Sequence, residues 1–443
     1  MSMKIDSVAH ASEASIGHAG LSLIGEMARI SGLDNACLGI TGMKQPQISD
    51  PDILRSICGL VAQGKTDFDH IKEFTQDSFF QNALGINRIP SAEILRQRFE
   101  HMSSCSGFEE RIHECALDLG RKMGVNPDYT RIGDHSWVRM DVDVTIFDNS
   151  DTKKEGSAPT YDRRYGFAPI FAHLGGGWMV NAQLREGSAH SFTAGTTEFI
   201  DQSLDYAHQL VDAPVLLVAD GGFDSADLLR LLDKRANTGF IVKHNLRKET
   251  EAQWLQTAKQ YGRLVKQTKE KRVYQGSVYR TVEGIKDPVR MVFEVTEIRS
   301  KGGQLLWTPE TIVFSAWTSL DAAEEEVLKA YRQRGTSEQY HAEFKTEMDM
   351  ERLPSGKFAV NSAFLKMGML VYNMFKVIDQ DMVYAKALGL KKATRRRMKT
   401  IMRSIVYMCG KITRHSRRLI LQLACPRPWY EFFSGLLKRL QAV

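Results

Sequence analysis

Four side chains of chemically useful type recur at helical spacing within residues 330–349. Tyr331, Arg334, Glu338 and Lys345 follow one another at intervals of three, four and seven residues. On an α-helix these intervals bring all four within roughly a sixth of a turn of one another. One face would then carry an aromatic hydroxyl, a guanidinium, a carboxylate and an ammonium. Gly335 within this stretch disfavours an α-helix, so the alternative is a helix that begins at 336–337, with Tyr331 and Arg334 on a preceding turn and Glu338 in the first turn. A carboxylate between two cations also forms solvated ion-pair ladders worth only tenths of a kcal/mol, so the helix alone allows a structural interpretation.

The pattern Tyr-x2-Arg-x3-Glu-x6-Lys resembles the YREK signature of one large group of bacterial insertion-sequence transposases of the DDE class. Four fixed residues at fixed spacing should arise by chance in well under about one chain in a hundred of this length. If Glu338 is the third acidic residue of such an enzyme, two aspartates must lie upstream of it. Each is expected on an apolar strand or at its end.

A strand with one buried side is predicted where the hydrophobic period changes to two, near residue 136. Apolar side chains at alternate positions of 138–146 share one face, and Arg139, Asp141 and Asp143 share the other. The resembling family carries its first catalytic aspartate shortly before a threonine, which selects Asp143 in its Asp-x-Thr context. Asp141 stays open as the alternative, and as a neighbour that tunes Asp143.

A second aspartate follows a continuous apolar run at 215–219, which is typical of a central strand buried on both sides. Asp220 ends this run, at the place where open α/β sheets hold their chemistry. Carboxylates beside a Gly-Gly turn are also common for reasons of turn geometry alone. The resemblance selects Asp220, and it is preferred to Asp224 because it directly ends the strand.

The order Asp143, Asp220, Glu338 resembles the RNase H-like core of DDE transposases. The implied fold class is α/β, a mixed sheet with flanking helices that is interrupted by a β-rich insertion and joined to helical N- and C-terminal regions. Two Mg²⁺ ions about 3.5–4 Å apart, with Mn²⁺ as a substitute, would bind the three carboxylates and stabilise in-line attack on a phosphodiester. By the same resemblance, the tyrosine, arginine and lysine of the signature would contact phosphates near the cut.

Changes in period and composition predict five segments. The 118 residues from Asp220 to Glu338 exceed what a strand and a helix need, and alternating β-branched and aromatic residues account for the excess. The segments are a helical DNA-binding region at 1–130, the first part of the core at 131–245, a β-rich insertion at 246–318, the second part of the core with the signature helix at 319–375, and a basic helical region at 376–443.

Smaller elements follow from the same patterns. Helices are predicted near 20–33, 53–61, 94–102, 196–211 and 360–378, and strands at 167–175, 177–186 and 239–245. Ser91 is the expected N-cap of the third helix. The glycines at 175–177 lack the lysine of a phosphate-binding loop and predict a hairpin turn. The set Asp67, Asp69 and His70 is interpreted as turn and cap residues rather than a metal site.

The region from 391 to 418 holds eleven Lys and Arg and no Asp or Glu. Apolar residues from Ile401 to Ile412 keep a helical interval within it, which favours a helix with one buried face and a basic face toward phosphates. Arg395, Arg396 and Arg397 are the candidate DNA contacts here. Some members of the resembling group stack a flipped base on an aromatic of the insertion, and Trp307 and Trp317 are the candidates, although ordinary core positions would equally hold a tryptophan.

Composition agrees with a globular protein, since 25% of the residues are charged and 43% are hydrophobic. The net charge of +6 permits a polyanionic partner. Six scattered cysteines without a C-x-x-C pair argue against a zinc site or a disulfide framework. The N-terminus lacks the pattern of a signal peptide, and no run of about eighteen apolar residues occurs. We therefore expect a cytoplasmic protein of a bacterial cell, associated with the nucleoid and not with a membrane.

The resulting prediction is a DDE transposase that binds the terminal inverted repeats of its element, pairs two ends as a homodimer, and joins them to target DNA after metal-dependent cleavage. One alternative is a catalytically decayed or co-opted transposase that only binds DNA. Another is a metal-dependent nuclease without strand transfer. The sequence leaves open which ends are recognised and whether cleavage passes through a hairpin.

Overall fold

The computed structural model describes residues 15–40, 42, 47–191, 193–301, 304–391, 393–415 and 418–443. The chain forms two compact units. One, the helical unit, comprises residues up to 122 together with 347–349 and 370–443. The other, the sheet unit, comprises 123–346 and 350–369.

Amphipathic helices open the helical unit. Their bounds are α1 (Leu21–Ile30), α2 (Asp50–Val61), α3 (Ser78–Ala83), α4 (Ala92–Ser103) and α5 (Phe108–Met123). The helices predicted near 20–33, 53–61 and 94–102 are confirmed. Ser91 caps α4 through a 3.3 Å bond from the Ile94 amide to its hydroxyl. Asp67 likewise caps a 3₁₀ turn by accepting from the Asp69 amide, which confirms its interpretation as a cap residue.

The sheet unit is built around a mixed sheet with flanking helices. Its first strands are β1 (Tyr129–Ile132), β2 (His135–Val144), β3 (Phe147–Asp148), β4 (Ala158–Pro159), β5 (Tyr165–Phe167), β6 (Ile170–Leu174) and β7 (Met179–Gln183). Then follow α6 (Thr196–Leu210), β8 (Val215–Ala219), α7 (Ala226–Asp233) and β9 (Thr238–Lys243). Gly176 and Gly177 have φ of 83° and 90° between β6 and β7, which confirms the hairpin turn.

The strand order confirms the RNase H-like core. Neighbouring strands run in the order β7-β6-β2-β8-β9. Strands β2, β8 and β9 are parallel, and β6 and β7 are antiparallel to their neighbours. All five residues of β8 are buried, as expected for a central strand covered on both faces. The carboxyl ends of β2 and β8 therefore lie side by side at one edge of the sheet.

The insertion extends this same sheet. It comprises α8 (Glu251–Tyr261), β10 (Gly262–Gln267), β11 (Lys271–Arg280), β12 (Val289–Lys301) and β13 (Gln304–Thr318). Strand β13 pairs antiparallel with β9, so Trp317 lies opposite Val242. The β-rich character was predicted, but α8 was not, because Trp254 and Ala258 are its only buried residues and give a weak helical period.

The interpretation of one continuous helix through the signature is wrong, whereas the alternative with a break at Gly335 agrees with the structure. The structure has α9 (Glu324–Arg332), a 3₁₀ turn at Gln333–Thr336, α10 (Ser337–Ala342) and a π-helical turn at Glu343–Glu347. Gly335 lies in the 3₁₀ turn, where its missing side chain lowers the preference for the α-helix. Since each type of winding rotates successive side chains differently, the four signature residues do not share one α-helical face.

The C-terminal region was expected to be helical throughout, and this prediction is wrong. The apolar helix α11 (Phe358–Tyr384) confirms the predicted helix at 360–378, and α12 (Met398–Ile401) with a π turn at Met402–Val406 follows. Strands β14 (Gly410–His415) and β15 (Arg418–Leu423) then form a hairpin before α13 (Arg427–Ala442). Aliphatic and β-branched residues of 410–423 favour the hairpin over a continued basic helix.

Two smaller findings bear on the expectations from composition. All six cysteines are unpaired thiols, as predicted from their scattered positions. Within the described parts of the chain, no helix is long and apolar enough to cross a membrane.

Candidate active site

Two aspartates meet at the carboxyl edge of the sheet because of the parallel register of β2 and β8. The register pairs Asp141 with Val218, so two residues further along each strand bring Asp143 level with Asp220. Asp143 is largely covered, with 18% of its side chain exposed, and Asp220 is more open at 37%. The expectation that an aspartate would follow each strand end is met by the geometry.

Asp220 is held by the turn that it begins. Its Oδ1 accepts a 2.8 Å bond from the Gly222 amide and caps a 3₁₀ turn at Gly221–Phe223. A Cβ on Gly222 would lie 2.7 Å from the Ser191 hydroxyl and 2.9 Å from Oδ1 of Asp220. The second glycine therefore leaves room for the carboxylate, whereas Oδ2 of Asp220 points to the neighbouring strand end.

One guanidinium bridges both carboxylates. Nη2 of Arg334 lies 2.9 Å from Oδ2 of Asp143 and 3.9 Å from Oδ2 of Asp220. Burial raises the pKa of Asp143 and of Asp220 above their ordinary values, and the guanidinium acts in the opposite direction on both. Arg334 thus supplies positive charge where two partly desolvated carboxylates converge.

The structure also distinguishes the two candidate aspartates of β2. Asp141 is buried, with 1% of its side chain exposed, and accepts a 2.8 Å bond from Nε of Arg139 on the same strand face. Burial raises its pKa to about 6. Asp143 is the one that reaches the edge beside Asp220. The geometry supports the choice of Asp143, with Asp141 and Arg139 as a buried ion pair behind it.

Glu338 lies in the first turn of α10 and is solvent-exposed. After burial and the opposing Arg334, it contributes to the raised pKa of Asp143, which places its carboxylate in the electrostatic neighbourhood of the aspartates. Among the described residues, however, no group of three or more His, Cys, Asp or Glu has a spacing that could hold a metal ion. Asp143 and Asp220 thus lie together, and Glu338 does not close a ligand set with them in this structure.

The donor set fits a hard divalent cation in type and in charge. Asp143 and Asp220 offer carboxylate oxygens, the ligands that Mg²⁺ prefers, and burial raises the pKa of both. Arg334 is the cation that lies beside them. Glu338, the third predicted acid, is exposed to solvent.

The other two signature residues, Tyr331 and Lys345, make contacts within the sheet unit. The ring of Tyr331 packs on Phe314 at 4.8 Å between centroids, and burial raises the pKa of its hydroxyl. Nζ of Lys345 donates to the Ile146 carbonyl at 2.7 Å and lies 2.9 Å from Glu351. Lys345 therefore connects the π-helical turn to the segment that follows β2.

Sequence reasoning missed Glu351 and two histidines. Glu351 accepts from both Lys345 and the Asp148 amide, and no motif marks it. His341 was left unassigned; it is 7% exposed and packs at 5.4 Å from Phe171 and from His173. Its position three residues after Glu338 is the only sequence signal that could have drawn attention to it.

The three arginines of the helical unit that were predicted to contact DNA differ in their exposure and in their partners within the protein. Arg396 donates from its amide to Asp379 and from its guanidinium to the Lys391 carbonyl, so it holds its own loop together. Arg397 pairs with Glu347, although 65% of its side chain is exposed. Arg395 is half-buried. Their contacts with DNA stay a prediction.

The two tryptophan candidates also differ. Trp307, near the end of the long β12–β13 hairpin, is fully exposed. Trp317 is 7% exposed and donates its indole N–H to Oδ1 of Asp224 at 2.9 Å. Trp317 therefore has a structural role inside the sheet unit.

Comparisons with known proteins identify the family of the chain. No curated protein matches the chain significantly. Among solved structures, a cryo-EM structure of the piggyBac transposase synaptic complex with hairpin DNA superposes with a TM-score of 0.43 at 11% identity, covering 97% of this chain and 82% of that one. The family model of the transposase DDE domain, group 1, matches residues 9–443. The chain therefore belongs to the DDE transposase family.

Proposed function

We propose that this transposase is the enzyme of a bacterial insertion sequence of the YREK group, and that it cleaves and joins DNA with Asp143, Asp220 and Glu338 as its catalytic carboxylates. The observation that carries the assignment is the convergence of Asp143 and Asp220, from neighbouring parallel strands, on the guanidinium of Arg334 at 2.9 and 3.9 Å. Arg334 belongs to the signature, and so the motif and the two strand ends meet at one place.

The three carboxylates would bind Mg²⁺, or Mn²⁺ in its place, and the bound ions would supply charge stabilisation and an activated nucleophile for in-line attack. Asp143 and Asp220 are the rigid part of the site, because one ends a strand and the other caps a turn. Glu338 approaches from the exposed first turn of α10. Lys345 and Glu351 fix the π-helical turn against the segment after β2.

Arg334 is the residue that would recognise the scissile phosphate. Its planar guanidinium can form two parallel bonds with a phosphate, as it does with carboxylates. In this structure it pairs with the aspartates. When those carboxylates are neutralised by other cations, the same group is available for the substrate. Tyr331 stands three residues before it and would orient the guanidinium, with which its hydroxyl interacts.

The partners that we propose are the terminal inverted repeats of the element and a target DNA, held by a homodimer in the bacterial cytoplasm at the nucleoid. Residues 391–418 with eleven Lys and Arg and no acid support a phosphate-binding role of the helical unit. Because such contacts release counterions, binding should weaken steeply as the salt concentration rises. Arg397, with 65% of its side chain exposed, is the most accessible of the three arginines that we predicted.

The test uses a supercoiled plasmid that carries the ends of the element, incubated with Mg²⁺ and purified protein. The wild type is compared with Glu338→Gln and Asp220→Asn, and with Glu325→Gln as a matched control on the exposed side of α9. We expect excised and joined DNA from the wild type and the control only. Binding without cleavage by all four proteins would indicate a decayed transposase, and cleaved ends without joined products would indicate a nuclease.

A further inference from the structure

Asp224 is a buried carboxylate that the catalytic assignment does not use. It lies four residues after Asp220 and 6% of its side chain is exposed. Its Oδ2 accepts from Nδ1 of His244 at 2.8 Å and from the Asn245 amide at 2.9 Å. Its Oδ1 accepts the 2.9 Å bond from the indole of Trp317. Three N–H donors therefore converge on one side chain inside the sheet unit.

These donors come from two other strands of the sheet. His244 and Asn245 directly follow β9, and Trp317 lies within β13, which pairs with β9. The amide of His244 in turn donates to the Ser315 carbonyl at 2.8 Å. Asp224 thus fastens the loop after β8 to the end of β9, its neighbour, and to the end of β13, the next strand beyond β9.

The network continues into the insertion. Nε2 of His244 lies 3.3 Å from Glu249, which also accepts from the Trp254 indole at 2.7 Å and from Arg280 at 2.6 Å. The guanidinium of Arg280 lies 5.0 Å over the Trp254 ring. The two ring nitrogens of His244 thus face one acid each, and the imidazole connects Asp224 to Glu249. Helix α8 and strand β11 are thereby linked to the loop that carries Asp220.

The loop between the two aspartates is too short to absorb a displacement. Asp220 caps its 3₁₀ turn at one end, Asp224 anchors the other end, and Phe223 between them is 2% exposed. The Phe223 amide donates back to the Asp220 carbonyl at 3.1 Å. If the Asp224 side chain lost its partners, the turn would keep its own bonds, the buried Phe223 and the bond from Arg247 to the Asp224 carbonyl, but it would lose its three side-chain bonds to the ends of β9 and β13. The position of Asp220 beside Asp143 would then be less well defined.

The direction of the pKa shift of Asp224 agrees with a carboxylate that stays ionised and hydrogen-bonded. Burial by itself would raise the pKa of Asp224, but the hydrogen bonds from His244 and Asn245 outweigh it and hold that pKa below its ordinary value. Removing a partner from a buried, charged acceptor costs more than an exposed ion pair would.

We propose that Asp224 is a positioning residue for the catalytic Asp220, and that it couples the place of this carboxylate to the insertion through His244 and Trp317. The proposal rests on the proposed function, because it requires Asp220 to act in cleavage. It gives Trp317 a task other than contact with DNA: its indole N–H holds the turn of the second catalytic acid.

The test compares two substitutions with matched controls in the full-length protein. Asp224→Asn removes the buried charge, and its control Asp227→Asn removes an exposed one from the first turn of α7. Trp317→Phe removes the indole donor, and its control Trp178→Phe makes the same change at a tryptophan that is 1% exposed and makes no indole hydrogen bond within the described residues. Asp220→Asn is the reference for loss of the catalytic acid.

We expect Asp224→Asn and Trp317→Phe to lower the single-turnover cleavage rate about 10- to 100-fold, the usual consequence of a misplaced catalytic group. Their affinity for the DNA ends should stay within about twofold of wild type, since no DNA contact is removed. Mn²⁺ binding without DNA, followed by electron paramagnetic resonance, should weaken in both and in Asp220→Asn. Neither control should change the rate or the Mn²⁺ affinity beyond about twofold.

The outcomes separate the two levels of the proposal. Wild-type cleavage by Asp220→Asn would overturn the proposed function. Loss of cleavage in Asp220→Asn together with wild-type rates and Mn²⁺ binding in Asp224→Asn and Trp317→Phe would overturn the positioning role alone. Equal losses in Trp317→Phe and Trp178→Phe would also overturn it, because they would reduce the effect to core packing.

Discussion

At the scale of single residues, Arg334 neutralises a pair of carboxylates that would otherwise repel each other. Burial raises the pKa of both aspartates, and the guanidinium lies within 4.0 Å of each. Two like charges in a partly desolvated site destabilise the folded state unless a cation accompanies them. The arginine of the signature therefore has a part in the free protein as well as a proposed part in phosphate recognition.

The first prediction concerns the role of Arg334 as the cation shared by Asp143 and Asp220. Arg334→Gln leaves Asp143 and Asp220 without their shared cation, so we expect a lower melting temperature without divalent metal. Added Mg²⁺ should raise the melting temperature of Arg334→Gln more than that of wild type, because the ion replaces the missing charge. Arg332→Gln, at a 55% exposed side chain nearby, is the control. An equal Mg²⁺ effect in all three proteins would contradict the prediction.

The second prediction concerns His341. Burial, with Arg334 as the second cause, lowers the pKa of His341 to about 4 from its ordinary value of 6.5. At a pH between these two pKa values, His341 is protonated in the unfolded chain and neutral in the folded state. The contribution of His341 to stability is therefore lost as the pH falls from about 6.5 toward about 4, by about 2 kcal/mol at about pH 5.

This pH dependence can be isolated with His341→Phe, which keeps a ring between Phe171 and His173 but does not titrate. We expect the urea midpoint of the wild type to fall more steeply between about pH 7 and about pH 5 than that of the variant. Melts followed by circular dichroism over this range would measure it. Parallel pH profiles for the two proteins would show that His341 is protonated equally in both states.

At the scale of elements, the turn after β8 shows why the site needs a particular glycine. A Cβ at Gly222 would lie 2.9 Å from Oδ1 of Asp220, whereas a Cβ at Gly221 would meet nothing nearer than 3.7 Å. Both glycines lie in the same 3₁₀ turn, and so they form a matched pair.

The third prediction follows from this pair. Gly222→Ala should lower the cleavage rate at least about tenfold by displacing the Asp220 carboxylate, and Gly221→Ala should stay within about twofold of wild type. DNA binding should be unchanged in both, and single-turnover cleavage is the measurement. Equal rates in the two variants would mean that the carboxylate accommodates the added methyl group.

The elements also show which parts of the molecule the sequence could predict. Strands β2 and β8 were predictable because alternation and a continuous apolar run are strong local signals, and both end at the aspartates. The break at Gly335 was predictable as an alternative, because glycine disfavours the α-helix, whereas the π turn at Glu343–Glu347 was not, because it depends on packing rather than on period. The contacts of Asp224 were not predictable either, because they depend on His244 and Trp317, which lie far from it in the sequence.

At the scale of the whole molecule, the helical unit is assembled from both ends of the chain. Within it, Arg29 of α1 donates to the Leu440 carbonyl of α13 at 3.1 Å, and Leu440 is fully buried. The apolar stripe of α13 thus completes a core that the N-terminal helices begin. Neither terminal segment buries its apolar face alone.

The fourth prediction tests this dependence. Leu440→Ala should destabilise the helical unit by about 2–5 kcal/mol, because it removes a buried side chain and leaves a cavity. Tyr430→Ala, on the same helix at a 51% exposed position, should change stability by no more than about 0.5 kcal/mol. Limited proteolysis within residues 15–122 would report the difference, and equal cleavage in both variants would contradict the role of α13.

Because the helical unit is built from separate stretches of the chain, its parts are synthesised at different times. Residues up to 122 leave the ribosome before the sheet unit is made, and residues 370–443 leave it last. At synthesis rates of about 5–20 residues per second, the intervening stretch takes on the order of tens of seconds. During this interval the N-terminal helices await their partners, and their apolar faces are open to chaperones. A nascent chain therefore acquires its complete helical unit only after the sheet edge with Asp143 and Asp220 has been synthesised.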